Sequence, residues 1–291
     1  MNKNMAPETG AWLSIGAYIG LSIIKLIVSY IAGSQALRAD GLNNLSDIIV
    51  STAILIGLKI SKKPRDHNHP YGHSRAEQIS SLVAAFLMMS IGIEVLIEGF
   101  HSIVHLEKEA PEWLAAWTGG FSALVMLGVY AFNRRLAKQT KSQAMEAAAK
   151  DNLSDALVSI GTVIGIVGAQ FQLFWFDPLA ALIVGMMICK TAWEIFSETS
   201  HMLTDGFDEH ILNEYKKEIA LVQGVQKVAD VKARMLGNEI ILDVTIQVDP
   251  QLNVVKSHEI ADRIEAMMKE QHNIQMTHVH VEPAVHVPQR G

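Results

Sequence analysis

Asn43 and Asp47 stand four residues apart, and so do Asp151 and Asp155. Each pair overlaps a copy of Asn-Leu-Ser-Asp, at Asn44-Leu45-Ser46-Asp47 and at Asn152-Leu153-Ser154-Asp155, and each copy opens on a long apolar stretch. On a helix, positions i and i+4 share a face. Each segment therefore turns two oxygen-bearing side chains the same way. If the two helices face each other, four oxygen ligands converge, and three of them are carboxylates. Carboxylates inside a membrane span are costly and mark ion or proton pathways. Left uncompensated, such a cluster takes up protons, and a divalent cation is its natural counter-charge. The neighbouring Asn44 and Asn152 have a plainer reading, as amides that hold helices together by hydrogen bonds.

The ligand set narrows the ion. Asn43, Asp47, Asp151 and Asp155 include no imidazole and no thiolate. Zn2+ sites draw mostly on His nitrogen and Cys sulfur, whereas oxygen ligands suit Mg2+, Ca2+ and Mn2+. An all-oxygen site with room for water favours Mn2+ over tetrahedral Zn2+. A second constellation is Asp66-His67-Asn68-His69-Pro70-Tyr71-Gly72-His73. His69 and His73 are four apart and Asp66 precedes His69 by three, a His-rich tract with a carboxylate that could hold metal. Near the C-terminus, His278, His280 and Glu282 alternate by two, so a strand would set them on one face. With His258 on a nearby helix, they offer a further metal site that two subunits could share. Glu94, Glu98, His101 and His105 make a polar stripe, read as helix packing and capping at the outer interface.

Six apolar stretches must carry these residues. Of 291 residues 49% are hydrophobic and 19% charged, but the two classes are divided along the chain. Residues to about 200 are mostly apolar, and those from about 205 are mixed and polar. The expected division is a transmembrane domain over 1–204 and a cytoplasmic domain over 205–291. A bilayer core about 30 Å thick takes about 20 apolar residues. The expected spans are 11–33, 36–58, 79–104, 113–132, 156–175 and 179–196. Lys59, Lys62, Lys63, Arg65 and Arg75 surround the link between spans two and three, and Arg134, Arg135, Lys138 and Lys141 fill the link between four and five. The opposite links are poor in base. Positive-inside reasoning then places both termini in the cytoplasm. Trp113, Trp117 and Trp175 fall near the outer ends, as an aromatic belt would. The N-terminal apolar run lacks a clear small-residue cleavage site and does not read as a cleaved signal. The net charge of -6 excludes little, and a single Cys189 permits no intrachain disulfide.

The tail changes period. Residues 209–222 have helical spacing and end before Gly224; 225–235 and 240–248 read as strands joined by Leu236-Gly237-Asn238. Residues 255–271 form a second helix with Ile260, Ile264 and Met267 on one face, and 274–281 a third strand. The order α-β-β-α-β predicts a small ferredoxin-like α+β domain. The sequence holds no phosphate-binding G-x-x-x-x-G-K-[ST] loop, no H-E-x-x-H helix and no nucleic-acid patch, so neither an enzyme nor a nucleic-acid partner is expected.

Over most of its length the chain resembles the cation diffusion facilitator family. The resemblance rests on Gly33-Ser34-Gln35-Ala36-Leu37 with Ala39-Asp40-Gly41, on Asn43-x-x-x-Asp47, on Asp66 with His69-Pro70-Tyr71-Gly72-His73, and on Asp151-x-x-x-Asp155. It implies a homodimer in the cell membrane that exports divalent metal in exchange for protons, with no tightly bound cofactor. The transport site would be Asn43, Asp47, Asp151 and Asp155. Zinc-type members have His at the position of Asp151 and often Asp at Asn43, so this set resembles the manganese branch. The loop site would be Asp66, His69 and His73. In the tail the matching positions are His258, His280 and Glu282, with Thr245 where zinc members place a His. Arg75 and Asp205 match positions at which the family pairs a base with an acid between subunits. The expected function is proton-coupled Mn2+ efflux. The alternatives are a Zn2+, Fe2+ or Co2+ exporter of the same architecture and a membrane-anchored metal sensor without flux.

Overall fold

The structure is a computed structural model that describes residues 7–105, 109–140, 143–237 and 239–284. Lys141 of the basic link and Asn238 of the expected tail turn lie outside these. Six long helices come first: α1 (Pro7–Ala32), α2 (Gln35–Ser61), α3 (Ala76–Val104), α4 (Trp113–Thr140), α5 (Gln143–Gln170) and α6 (Phe176–Leu203). Each is long and apolar enough to cross a bilayer. A helix suits that setting because it satisfies its own backbone groups where no water can. Large apolar side chains such as Ile27, Phe100, Trp117 and Leu124 stand exposed on these helices, a surface suited to lipid.

The fifth span departs from the expectation. The charge-free window 156–175 suggested a span beginning after Asp155, but α5 begins at Gln143, so Asp151 and Asp155 lie within it. Residues 171–175 instead belong to the connection to α6. Gln172 takes φ 65°, and the Phe171 and Gln172 amides donate to the Gly168 and Ala169 carbonyls. Hydropathy alone cannot distinguish such an apolar turn from the end of a span.

The start of α2 is fixed from another helix. Gly33 (φ 68°) reverses the chain, a conformation that a Cβ disfavours. The Ser34 hydroxyl accepts from the Leu37 amide at 3.1 Å and donates to Asp177 Oδ1 of α6 at 2.7 Å. Asp177 Oδ2 accepts from the Gln35 and Ala36 amides at 2.7 and 3.3 Å. A buried carboxylate thus satisfies the free N–H groups of the helix and complements its dipole. α3 and α6 approach closely at Gly92, where a Cβ would lie 2.6 Å from Cys189 Sγ. Small residues at such crossings let membrane helices pack by dispersion.

The chain divides into two compact units, residues 1–55 with 83–196 and residues 56–82 with 197–291, a division that cuts through α2, α3 and α6. In the second unit, α7 (Glu209–Ala220), β1 (Lys227–Leu236), β2 (Glu239–Val248), α8 (Val254–His272) and β3 (Met276–Pro283) follow in the expected order. Asp208 caps α7 by accepting from the His210 and Ile211 amides, and Asn253 caps α8 by accepting from Lys256. The sheet order is β1-β2-β3. β1 pairs antiparallel with β2 through a tight hairpin, and β3 pairs parallel with β2 after the α8 crossover. Leu242, Val244 and Ile246 turn to one face, where Ile219, Ile260, Ile264 and Met268 cover them. Met268 is the fully buried methionine of α8, and Met267 packs at the margin of this core. The architecture is a six-helix transmembrane domain plus a ferredoxin-like α+β domain.

Candidate metal-transport site

Asn43, Asp47, Asp151 and Asp155 all line one cavity of about 380 Å³, which α1, α3 and α6 complete through Tyr18, Met88 and Thr191. Asn43 Nδ2 donates to Asp155 Oδ1 at 3.2 Å across the α2–α5 contact. Asp155 is buried, Asp47 is partly buried and Asp151 is exposed. Asp47 Oδ2 is buried with no hydrogen-bond partner among the described residues. Buried polar oxygens are rarely left so, and a cation would satisfy this one. α2 and α5 run antiparallel here, because Asn43 meets Asp155 while Asp40, before Asn43, and Ser159, after Asp155, meet at a common partner, Lys25. The i, i+4 spacing within each helix then makes the two pairs face each other.

Sequence reasoning missed the groups that hold these four side chains from behind. Tyr18 Oη donates to Asp155 Oδ2 at 2.7 Å and accepts from Asn152 Nδ2 at 2.9 Å. Asn152 Oδ1 in turn accepts from Asn133 Nδ2 at 2.8 Å and from the Ser14 hydroxyl at 3.2 Å. Lys25 is fully buried, and its ammonium donates to Asn44 at 2.6 Å, Asp40 at 2.8 Å and Ser159 at 3.0 Å. Asn44 and Asn152 therefore join helices, as their amides suggested. In the polar stripe of α3, Glu94 and Glu98 both pair with Arg38 of α2, and the His101 and His105 rings stack at 4.4 Å.

The loop residues converge. Asp66, His69 and His73 bring one ligand atom each within 4.8 Å of one another. The Gly72 amide donates to the His69 carbonyl at 2.9 Å, closing a turn with Pro70 in its second place, and Gly72 takes φ 86°. The reversal lays the His73 ring 4.2 Å from that of His69. Asp66 Oδ1 accepts from the His69 and Asn68 amides at 2.7 and 3.0 Å and meets His69 Nδ1 at 3.0 Å. Desolvation pushes the Asp66 carboxyl up, but these bonds outweigh it and hold the group below the ordinary carboxylate range.

The tail residues do not converge within one chain. His278, His280 and Glu282 share the sheet face opposite the helices, where His280 stands beside Thr245 and His278 Nδ1 meets Asp243 at 3.0 Å. His258 lies on α8 with its ring nitrogen 3.5 Å from Asp262. Arg75 Nη2 donates to Asp205 Oδ1 at 2.9 Å, so this base and acid pair within a single chain.

Comparison with known proteins gives the family. Residues 11–204 match the cation efflux transmembrane domain, and residues 207–284 match the cytoplasmic domain of cation efflux proteins. The manganese efflux system protein MneS of Bacillus subtilis (strain 168) is 55% identical over 276 residues, 95% of each chain. The uncharacterized transporter YdbO of the same strain is 51% identical over 276 residues, again 95% of each. The magnetosome protein MamM of Magnetospirillum gryphiswaldense is 31% identical over 261 residues, 88% of this chain and 81% of that one. The chain belongs to the cation diffusion facilitator family, integral membrane transporters that carry out cation efflux, and lies near its manganese branch.

Proposed function

We propose that the protein is a homodimeric antiporter that exports Mn2+ from the cytoplasm in exchange for protons. The membrane domain, to residue 204, sits in the cell membrane, and both termini and the domain from residue 205 lie in the cytoplasm. The observation that carries this reading is the single cavity lined by Asn43, Asp47, Asp151 and Asp155. Its ligand atoms are oxygens, which suit Mn2+. The 55% identity to a manganese efflux protein supports the same ion.

Three carboxylates supply the charge for the cargo. Asn43 offers its amide nitrogen to Asp155 in this structure, so loading turns the amide and presents its oxygen. Protons compete with Mn2+ for the same carboxylates, which couples metal release to proton entry. One bundle rocking against the other then exposes the site on alternate sides. Asp66, His69 and His73 form an accessory metal site in the loop, and their two imidazoles suit borderline metals. His258, His280 and Glu282 contribute to a tail site that needs both subunits. Arg75 and Asp205, which meet within one chain here, are proposed to exchange partners and pair between subunits in the dimer.

The test is metal uptake by proteoliposomes loaded with a divalent-metal dye. Mn2+ flux that exceeds Zn2+ flux, follows an imposed pH gradient and disappears in Asp155→Ala is expected. Zinc, iron or cobalt preference keeps the architecture and overturns the ligand argument. Flux indifferent to pH removes the antiport step, and binding without flux makes the protein a sensor.

A further inference from the structure

Lys25 takes no part in holding the cargo, yet its ammonium is the most enclosed charge beside the cavity. It is 0% exposed, and its three partners Asp40, Asn44 and Ser159 are at most 1% exposed. It joins three helices, reaching from α1 to Asp40 and Asn44 on α2 and to Ser159 on α5. The layer is tight: the Ser22 hydroxyl donates to the Gly41 carbonyl at 3.0 Å, and a Cβ at Gly41 would lie 3.1 Å from Lys25 Cβ.

The layer's place along the helices gives it meaning. The cavity follows α2 from Asn43 through Asp47 and Val50 to Ile54, toward the end that leads into the 62–75 loop. On antiparallel α5 it follows Val158 back to Asp151. Asp40 and Ser159 lie beyond the ligands in the other direction, on both helices. The two helices that carry the ligands are therefore clasped one turn past them, on the side away from the loop. The buried Lys25–Asp40 pair holds this closure, and parting it without new partners would strand two charges away from water.

We infer that Lys25, with Asp40, Asn44 and Ser159, is the exit plug of the transport path, a charged closure that separates when cargo leaves. The inference rests on the cargo reading above. Lys25 is a positioning residue, acting through α2 and α5 rather than by touching Mn2+. Asp40 neutralises it, which leaves Asp47, Asp151 and Asp155 for the cargo.

The test uses the full chain in vesicles and in detergent. Lys25→Met with Asp40→Asn removes both charges, since either change alone would strand a buried ion. Lys25→Arg serves as a charge-retaining control. With no pH difference across the membrane, downhill Mn2+ flux through the double variant should rise about fivefold or more over wild type and over Lys25→Arg, while calorimetric Mn2+ affinity stays within about threefold, a separation that measures closure apart from binding. Wild-type flux with wild-type affinity overturns the plug. A tenfold or greater loss of affinity without leak, on the order of 1.4 kcal/mol, assigns Lys25 to holding the ligands and overturns it too. Asp47→Ala is run alongside: if it binds Mn2+ like wild type, the cargo reading fails on its own account, whatever the plug variants do.

Discussion

Tyr18→Phe tests whether the cavity's geometry is set from behind. The change keeps the ring and removes one hydroxyl, which donates to Asp155 at 2.7 Å and accepts from Asn152 at 2.9 Å. Holding Asp155 Oδ2 leaves Oδ1 aimed at Asn43, across the cavity proposed to hold the cargo. Without the phenol, Asp155 is free to turn, and ordering it again on binding costs about 0.5–1.5 kcal/mol. Loss of an outer partner to a metal ligand typically weakens binding about 10- to 100-fold. A carboxylate relieved of its donor is also a somewhat better electron donor to metal, which offsets part of the loss. The expected net effect is Mn2+ affinity lower by about 3- to 10-fold, or about 0.7–1.4 kcal/mol. Calorimetric titration of purified protein reads the affinity, and proteoliposome flux should show the same factor in KM. Unchanged or tighter binding would refute the positioning argument. A fall in unfolding midpoint is expected as well, because Asn152 Nδ2 loses its acceptor, so affinity and stability are measured on the same preparation.

Asp177→Ala removes the acceptor for two backbone amides and one hydroxyl at the start of α2; it should cost about 2 kcal/mol in denaturant unfolding and leave Mn2+ affinity unchanged. Gly92→Ala forces a methyl group into Cys189 and should destabilise by about 1–3 kcal/mol, whereas the same change in a Cys189→Ala background should recover most of that. Asn43→Asp with Asp151→His adds a nitrogen ligand and should raise Zn2+ flux relative to Mn2+ by about tenfold; an unchanged ratio moves selectivity elsewhere. Asp66 is held below its ordinary pKa, so what it contributes to the loop is complete above about pH 4 and is lost as pH falls through the lower folded value. Amide exchange at Asn68 and His69 should accelerate below that point, and acceleration between pH 7 and 5 would contradict the sign.

The four residues that line the cavity were legible as a set because their spacing is local. Four residues make one helical turn, so Asn43 with Asp47 and Asp151 with Asp155 declare a shared face before any tertiary contact is known. The loop cluster was half legible: the residue types were visible, but their convergence depends on the turn that Gly72 permits. Strand alternation put His278, His280 and Glu282 on one face, yet it said nothing about His258, which stands exposed on α8, the helix that covers the other face of the sheet.

Lys25 and Tyr18 had no local signal. In sequence, Lys25 is the one charge in the apolar run 11–33, not obviously placed to neutralise the acids. Its partners lie 15, 19 and 134 residues away, and Tyr18 meets Asp155 across 137. No periodicity spans such distances. Charge arithmetic could have pointed to them. Asp40 lies seven residues before Asp47, on the same face of α2, and four neighbouring carboxylates without a base would be hard to bury. A membrane helix that carries a lysine in its middle therefore has to bring it to those acids, or carry it to water. In this fold the lysine goes to Asp40, the acid that does not line the cavity, and that choice leaves the three acids that do line it without a lysine partner.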